Sequence, residues 1–342
     1  MKILLTVDPE IPVPPIGYGG IERIVDMLIQ QYLNKGHEVF LCAHPDSKVD
    51  CKLIGWHGAK SQNKIDLIKN TAQLTKLVYT NKFDVVHSFS RLAYMTAILP
   101  LAIPKIMSYQ REPTLSQAKK AVWIAKKNSL VFTGCSNYIS NQLATVAESY
   151  TIYNGAPMHL YTATTTVDAD APLVFLGRIE PIKGTANAIE VAQKTGRKLI
   201  IAGNIPPEHQ NYFDEKIKPH LNDQIKYVGT VNDTQKNELL DKALALLMPI
   251  EWNEPFGIVM AEAMACGTPI LGFGRGSVNE IVINGKNGYI SNDVKEMIQQ
   301  VPLLSQLDRM EIRKIAEDNF SAGKISDDYL KLYDTVINRI NI

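Results

Sequence analysis

The stretch Trp252 to Leu271, WNEPFGIVMAEAMACGTPIL, constrains the fold of this chain more than any other. Pro255 fixes φ and suits a helix start, so an apolar strand over Ala243 to Pro249 is expected to turn there into a small-residue helix, Ile258 to Ala265, ending at Gly267. A strand that turns directly into a helix is half of a parallel βαβ unit. At the junction the backbone N–H groups of Phe256, Gly257, Ile258 and Val259 lack intrahelical partners, which makes a site for phosphate or sugar oxygens. Glu254 stands before the helix and Glu262 within its first two turns, so both carboxylates are expected to face one cleft. Ionised carboxylates accept paired hydroxyl hydrogen bonds. Taken alone, two acids at this spacing also fit a solvated helix face.

The same alternation runs through the chain. Strands are expected at Ile3 to Val7, Glu38 to Ala43, Asp84 to His87, Lys105 to Tyr109 and Leu130 to Cys135. Between them lie a helix headed by Gly17 to Arg23 and ending near Gly36, and helices over Ile65 to Thr80, from Leu92, over Leu115 to Lys127 and over Tyr138 to Ala147. After Met158 to Ala171, a Thr- and Ala-rich stretch without periodicity, strands return at Leu173 to Leu176, Lys198 to Ala202 and Ile225 to Val228, with helices at Pro207 to Leu221 and on to Ala243. Val294 to Ile342 is helical in pattern. Such alternation implies mostly parallel sheets covered on both faces, with ligands at the strands' carboxyl ends.

Two further loops carry phosphate chemistry. Gly17-Tyr18-Gly19-Gly20 links a strand to a helix, but lies too far from the strand for a dinucleotide fingerprint and has Glu22 where a third small residue belongs. In Gly177-Arg178-Ile179-Glu180-Pro181-Ile182-Lys183-Gly184 two cations at a strand end and helix start can close on a diphosphate, arginine as a planar fork and lysine as a point charge. Asp168 and Asp170 could hold a metal-bound nucleotide, but without strand context they read as turn chemistry.

EPFGIVMAEAMACGTPIL resembles the E-x7-E signature of retaining GT-B glycosyltransferases of the group 1, or GT4, type. The resemblance implies that Glu254 touches the donor sugar, that the amides of Phe256, Gly257, Ile258 and Val259 hold its hydroxyls and phosphate, and that Glu262 binds the nucleotide ribose. GRIEPIKG is similar to the family's diphosphate clamp, which gives Arg178 and Lys183 catalytic roles. Gly19 and Gly20 match the Gly-Gly that packs on the diphosphate, and Gly203 with Tyr227-Val228-Gly229 resembles the wall framing the base. GFGRGSVNEIV and GKNGYI follow further landmarks, with Glu280 expected on a helix and Gly288 in a turn. The family commonly shows D-V-V-H-x-H. Here His87 is kept as a catalytic candidate, while Phe89 replaces the second histidine on the acceptor side.

The Leu115 to Lys127 segment carries Lys119, Lys120, Lys126 and Lys127 on about a third of its circumference, with Trp123 among them and Leu115, Ala118, Val122 and Ala125 opposite. A solvated face explains this pattern. So does contact with anionic lipid or a lipid-linked phosphate, extended by Arg111.

With 342 residues the chain is long enough for two domains. Net charge is +1, yet through Tyr161 there are 17 Lys and Arg against 11 Asp and Glu, and beyond it 19 against 24. A basic first part facing an anionic partner is implied. Cys42, Cys51, Cys135 and Cys266 form no C-x-x-C pair, which points to a reducing cytosol rather than a disulfide or zinc framework. Ile3 to Val7 is too short for a signal-peptide core, and no run reaches transmembrane length.

The expected architecture is therefore α/β and GT-B: two Rossmann-like domains with mostly parallel sheets facing a central cleft. Their bounds are an acceptor-side domain over 1–155, a linker over 156–171, a donor domain over 172–320 and a last helix over 321–342 that recrosses to the first domain. The implied activity is retaining transfer of a sugar from a UDP- or GDP-sugar to an acceptor hydroxyl in cell-surface glycan or glycolipid synthesis. No cofactor or metal is required, because the cationic clamp supplies the charge. Partners are the nucleotide-sugar donor and a glycan, lipid-linked or small-molecule acceptor, with no nucleic acid. Location is cytoplasmic, peripheral to the inner membrane face. A catalytically silent GT-B protein that binds carbohydrate or nucleotide sugar is the alternative that Phe89 keeps open. An NAD-dependent enzyme would leave the second domain's clamp without a use.

Overall fold

The computed structural model describes residues 1–17 and 19–340, so Tyr18 of the glycine-rich loop and the end of the last expected helix lie outside the described residues. Two compact units divide the chain, residues 1–154 with 322–342 and residues 155–321.

In the first unit seven described strands form one parallel sheet in the order β3-β2-β1-β4-β5-β6-β7. They are β1 Lys2–Thr6, β2 Glu38–Ala43, β3 Lys52–Gly55, β4 Val85–Ser88, β5 Lys105–Tyr109, β6 Leu130–Gly134 and β7 Ser149–Thr151. Central strands such as KILLT and VVHS are buried on both faces, as crossover helices on each side require. The two edge strands, β3 (KLIG) and β7 (SYT), are short and only half-buried, too short for a period to show. The Leu92 helix is a 3-10 segment, Leu92–Ile98. The lysine-rich helix ends at Ile124, so Lys126 and Lys127 lie beyond it, and its buried side is Ala118 and Ala121, with Val122 exposed.

Helix Ala322–Ile340 belongs to this unit. Tyr333 bonds Tyr32 at 3.0 Å, and the Lys35 ammonium donates to the Ser326 hydroxyl at 2.9 Å and pairs with Asp327.

The second unit holds six described parallel strands in the order β10-β9-β8-β11-β12-β13, namely β8 Leu173–Leu176, β9 Leu199–Ala202, β10 Ile225–Tyr227, β11 Ala245–Met248, β12 Ile270–Phe273 and β13 Gly288–Ser291. Leu173, Phe175, Ile201, Leu247 and Leu271 fill its core. Residues 156–171 fold into this unit: Tyr161 reaches Glu262, the Thr162 amide donates to Asn237 and the Thr164 hydroxyl to the Asp241 carbonyl. Asp170 pairs with exposed Lys198 at 2.5 Å. Pro207 to Leu221 is a run of short turns with a π segment, Phe213–Ile217, because Pro219 removes a helical donor. Gly288 opens β13 rather than a turn, and a Cβ there would lie 2.0 Å from the Ile270 carbonyl oxygen.

In each sheet the strand order reverses once, between β1 and β4 and between β8 and β11. Open α/β sheets bind ligands at the carboxyl ends of such strands.

Candidate active site

At the switch point of the second unit, the loop after β8 meets the loop after β11. The first loop turns through Gly184, whose φ of 75° and whose 1.8 Å gap between a would-be Cβ and the Pro249 carbonyl oxygen admit only glycine. That turn starts helix Thr185–Thr195 and aims Lys183 across the strands. The Lys183 Nζ donates to Glu254 Oε2 at 2.7 Å and lies 4.5 Å from the centre of the Trp252 ring. Trp252 Nε1–H donates to the same carboxylate oxygen at 3.0 Å. Glu254 is 8% exposed, and its backbone is clamped from behind: its carbonyl accepts the Ser277 amide at 2.9 Å, and Gly276 packs so closely that a Cβ would lie 2.3 Å from that oxygen.

Glu262 lies on helix Ile258–Ala265, the expected bounds, and is 4% exposed. Its Oε1 accepts the Tyr161 hydroxyl at 2.8 Å and Lys236 Nζ at 2.5 Å. Each acid of the pair therefore has its own lysine and its own aromatic neighbour. Trp252, Lys236 and Tyr161 are the members that sequence reading did not assign; nothing in TQKNELL or the Thr-rich stretch marks them, since they converge only in three dimensions.

Arg178 pairs with Glu180 at 2.8 Å, and His209 approaches the other Glu180 oxygen at 3.6 Å. Phe256 is a buried ring packed edge-on to Phe320, and its carbonyl accepts the Ser277 hydroxyl. Gly257, with φ of 73°, caps the helix whose first turn carries the Ile258 and Val259 amides. Gly203 lies beside Gly177, where a Cβ would meet the Gly177 carbonyl oxygen at 1.8 Å, and its carbonyl accepts the Tyr227 hydroxyl at 2.8 Å; Val228 next to it is exposed.

In the first unit Gly19 precedes helix Gly20–Asn34. His87 lies in strand β4. Its ring is fully buried, with Nδ1 bonded to the Tyr333 hydroxyl at 2.5 Å and Nε2 to the Ser108 hydroxyl at 2.6 Å, and burial pushes its pKa down to about 3. A neutral imidazole held on both nitrogens is a structural residue, which corrects its assignment as catalytic. Arg111, Lys119, Lys120, Trp123, Lys126 and Lys127 are all exposed. No helix among the described residues is long and apolar enough to cross a membrane.

The family described as "Glycosyl transferases group 1" matches residues 164–315, and "Glycosyltransferase Family 4" matches residues 18–158. An uncharacterized 42.6 kDa protein in the cps region of Klebsiella pneumoniae is 28% identical over 61% of this chain and 54% of its own length, so that match spans about half of the relative. Spore coat protein SA of Bacillus subtilis is 23% identical over 98% of this chain and 99% of its own. Among solved structures, AviGT4, a glycosyltransferase involved in avilamycin A biosynthesis, is 25% identical with a TM-score of 0.75, covering 98% of both chains. Anabaena HepE in complex with UDP-glucose shares the fold at 18% identity and a TM-score of 0.76, covering 98% of this chain and 100% of that one. With two parallel-sheet Rossmann-like units and both family halves matched, the chain belongs to the group 1, GT4-type glycosyltransferases and has the GT-B fold.

Proposed function

We propose that the chain transfers a hexosyl group from a UDP- or GDP-sugar to an acceptor hydroxyl, with retention at the anomeric carbon, in the synthesis of a cell-surface glycan or glycolipid. One observation carries this reading: Lys183–Glu254 and Lys236–Glu262 bracket helix Ile258–Ala265, with Arg178 on the neighbouring loop. As the bond to the sugar breaks, charge gathers on the departing diphosphate, and preorganised cations and amides there lower the barrier most. Arg178, Lys183 and the first-turn amides fill that role. Glu254 orients the sugar, and the leaving phosphate oxygen takes the acceptor proton, so no protein nucleophile and no metal are needed. Glu262, with Lys236 and Tyr161 behind it, holds the ribose hydroxyls, with Gly203 and Val228 beside the base. The nucleotide sugar bound by the structurally similar HepE is of the same chemical class.

A thermal-shift panel with UDP, GDP, ADP, their sugar conjugates and NAD tests the donor. Ligand at a hundred times its dissociation constant adds about 2.7 kcal/mol of stability. One nucleoside diphosphate is expected to give that shift, also in chelator, and Lys183→Ala to abolish it. A shift with NAD alone, or with no nucleotide, would sink the reading.

The exposed patch supports a peripheral membrane contact. Trp123 is 87% exposed between half-open Val122 and Ile124, beside the four exposed lysines. Tryptophan anchors at headgroup depth while lysines attract anionic lipid. In vesicle flotation the protein is expected to follow phosphatidylglycerol vesicles and not phosphatidylcholine ones, and to be released by salt or by Trp123→Ala. Absence of flotation at low salt would rule the contact out.

A further inference from the structure

Glu254 is held at three points before its carboxyl group is reached. Its carbonyl accepts the Ser277 amide, Gly276 packs on its backbone, and Gly257 lies so close to its stem that a Cβ there would stand 3.3 Å from the Glu254 Cγ. What these contacts leave open is rotation about the last side-chain bond, which is broad and two-fold for a carboxylate. That rotation decides which oxygen a ligand meets.

Trp252 removes this freedom. Its Nε1–H donates to Glu254 Oε2 at 3.0 Å, and Lys183 Nζ donates to the same oxygen at 2.7 Å. Two donors fill the two acceptor sites of Oε2. Oε1 accepts nothing from a described residue, and it is not one of the buried atoms left without a partner, so it meets solvent. One oxygen of the carboxylate is bound to the protein, and the other is turned outward.

Lys183 is fixed by the same ring. Its Nζ stands 4.5 Å from the ring centre, within the range over which a cation is attracted to an aromatic face. An ammonium on a four-carbon stem is otherwise mobile. Glu254 takes one of its three N–H groups, which leaves two for diphosphate oxygens. An indole suits this place as no charged donor does. A second cation would be repelled by Lys183, whereas a neutral N–H leaves the ammonium where it is and the ring offers it a negative face. Trp252 is only half-buried, so packing of the core does not account for a tryptophan here.

We propose that Trp252 is a positioning residue of the transfer site: its N–H fixes Glu254 with Oε1 turned to a sugar hydroxyl, and its ring face fixes the Lys183 ammonium beside the diphosphate. The inference rests on the transfer reading above, but its first arm needs no substrate. In the ligand-free, nitrogen-15-labelled protein, the indole N–H signal that Trp252→Phe removes is expected to exchange with solvent more slowly than that of exposed Trp123, and to shift in Glu254→Gln. A signal indifferent to Glu254→Gln would overturn the proposal.

The second arm separates the N–H from the ring. Trp252→Phe keeps the ring face and loses the donor, and Trp252→Leu loses both. With UDP-glucose, GDP-mannose and ADP-glucose as donors, Trp252→Phe is expected to lower turnover about tenfold, the usual weight of a hydrogen bond to a charged group, while UDP or GDP binds within about twofold of wild type. Trp252→Leu is expected in addition to weaken the nucleoside diphosphate about threefold or more, as loss of the cation–ring contact requires. Trp252→Phe decides the case should Trp252→Leu fail to fold. Wild-type turnover in Trp252→Phe, or nucleotide affinity lost equally in both variants, would overturn the proposal. Absence of any nucleoside diphosphate binding by the wild type, with the indole response retained, would remove the transfer reading and leave Trp252 as the residue that sets Glu254 and Lys183.

Discussion

Lys183→Ala is expected to lower turnover a hundred- to a thousandfold, the usual effect of deleting one preorganised group that stabilises developing negative charge. The lysine also neutralises a carboxylate that is nearly buried. Removing one partner of such a pair leaves the other charge stranded; because Lys183 keeps some solvent contact, the expected loss is about 2 kcal/mol, below the fully buried range. Activity and stability are then separable. In Lys183→Ala/Glu254→Gln the stranded charge is gone, so the melting temperature should return toward that of the wild type while turnover stays low. Steady-state nucleotide release and calorimetric melting read the two effects. A single variant with wild-type turnover would show that Lys183 serves only as the counter-ion of Glu254.

Arg309→Met is expected to be the most destabilising single change in the second unit. Arg309 is buried, and its guanidinium donates to the carbonyls of Thr164, Asp241, Ala243 and Cys266 and to the Thr268 hydroxyl, all within 3.2 Å. Burial pulls its pKa down to about 10, so it stays charged at neutral pH, solvated by carbonyl oxygens in place of water. Methionine fills the volume but donates nothing. With about 1–3 kcal/mol for each buried acceptor left unpaired, a total of roughly 4 kcal/mol or more is expected. For a unit of this size that corresponds to about 10 °C in melting temperature. Arg309→Lys keeps the charge but not the planar fork and should recover only part of the loss. Hydrogen exchange resolved along the chain places the effect: amides of 155–321 should lose protection before those of 1–154. A shift within a degree or two would mean that water replaces the guanidinium, and that this cluster is not a keystone.

Arg309 also shows where sequence reading stops. DRMEIRK looks like an ordinary charged helix, and nothing local says that one arginine turns inward to meet carbonyls as much as 145 positions away. His87 is the opposite case: its place at a strand end was legible, but its burial came from Tyr333, which reaches it from the far end of the sequence. The edge strands β3 and β7 escaped because a half-solvated edge needs no apolar run.

What the sequence determined by itself was the alternation of strand and helix, the glycines at Gly184, Gly257 and Gly276, and hence the helix Ile258–Ala265 with Glu254 before it and Glu262 within it. Those follow from steric limits on φ and from period, which are properties of neighbours in the chain. Only the tertiary structure decided which lysine faces which acid and that Trp252 and Tyr161 stand behind them. Side-chain partners depend on distances between loops that strand order brings together, and strand order carries no local signature.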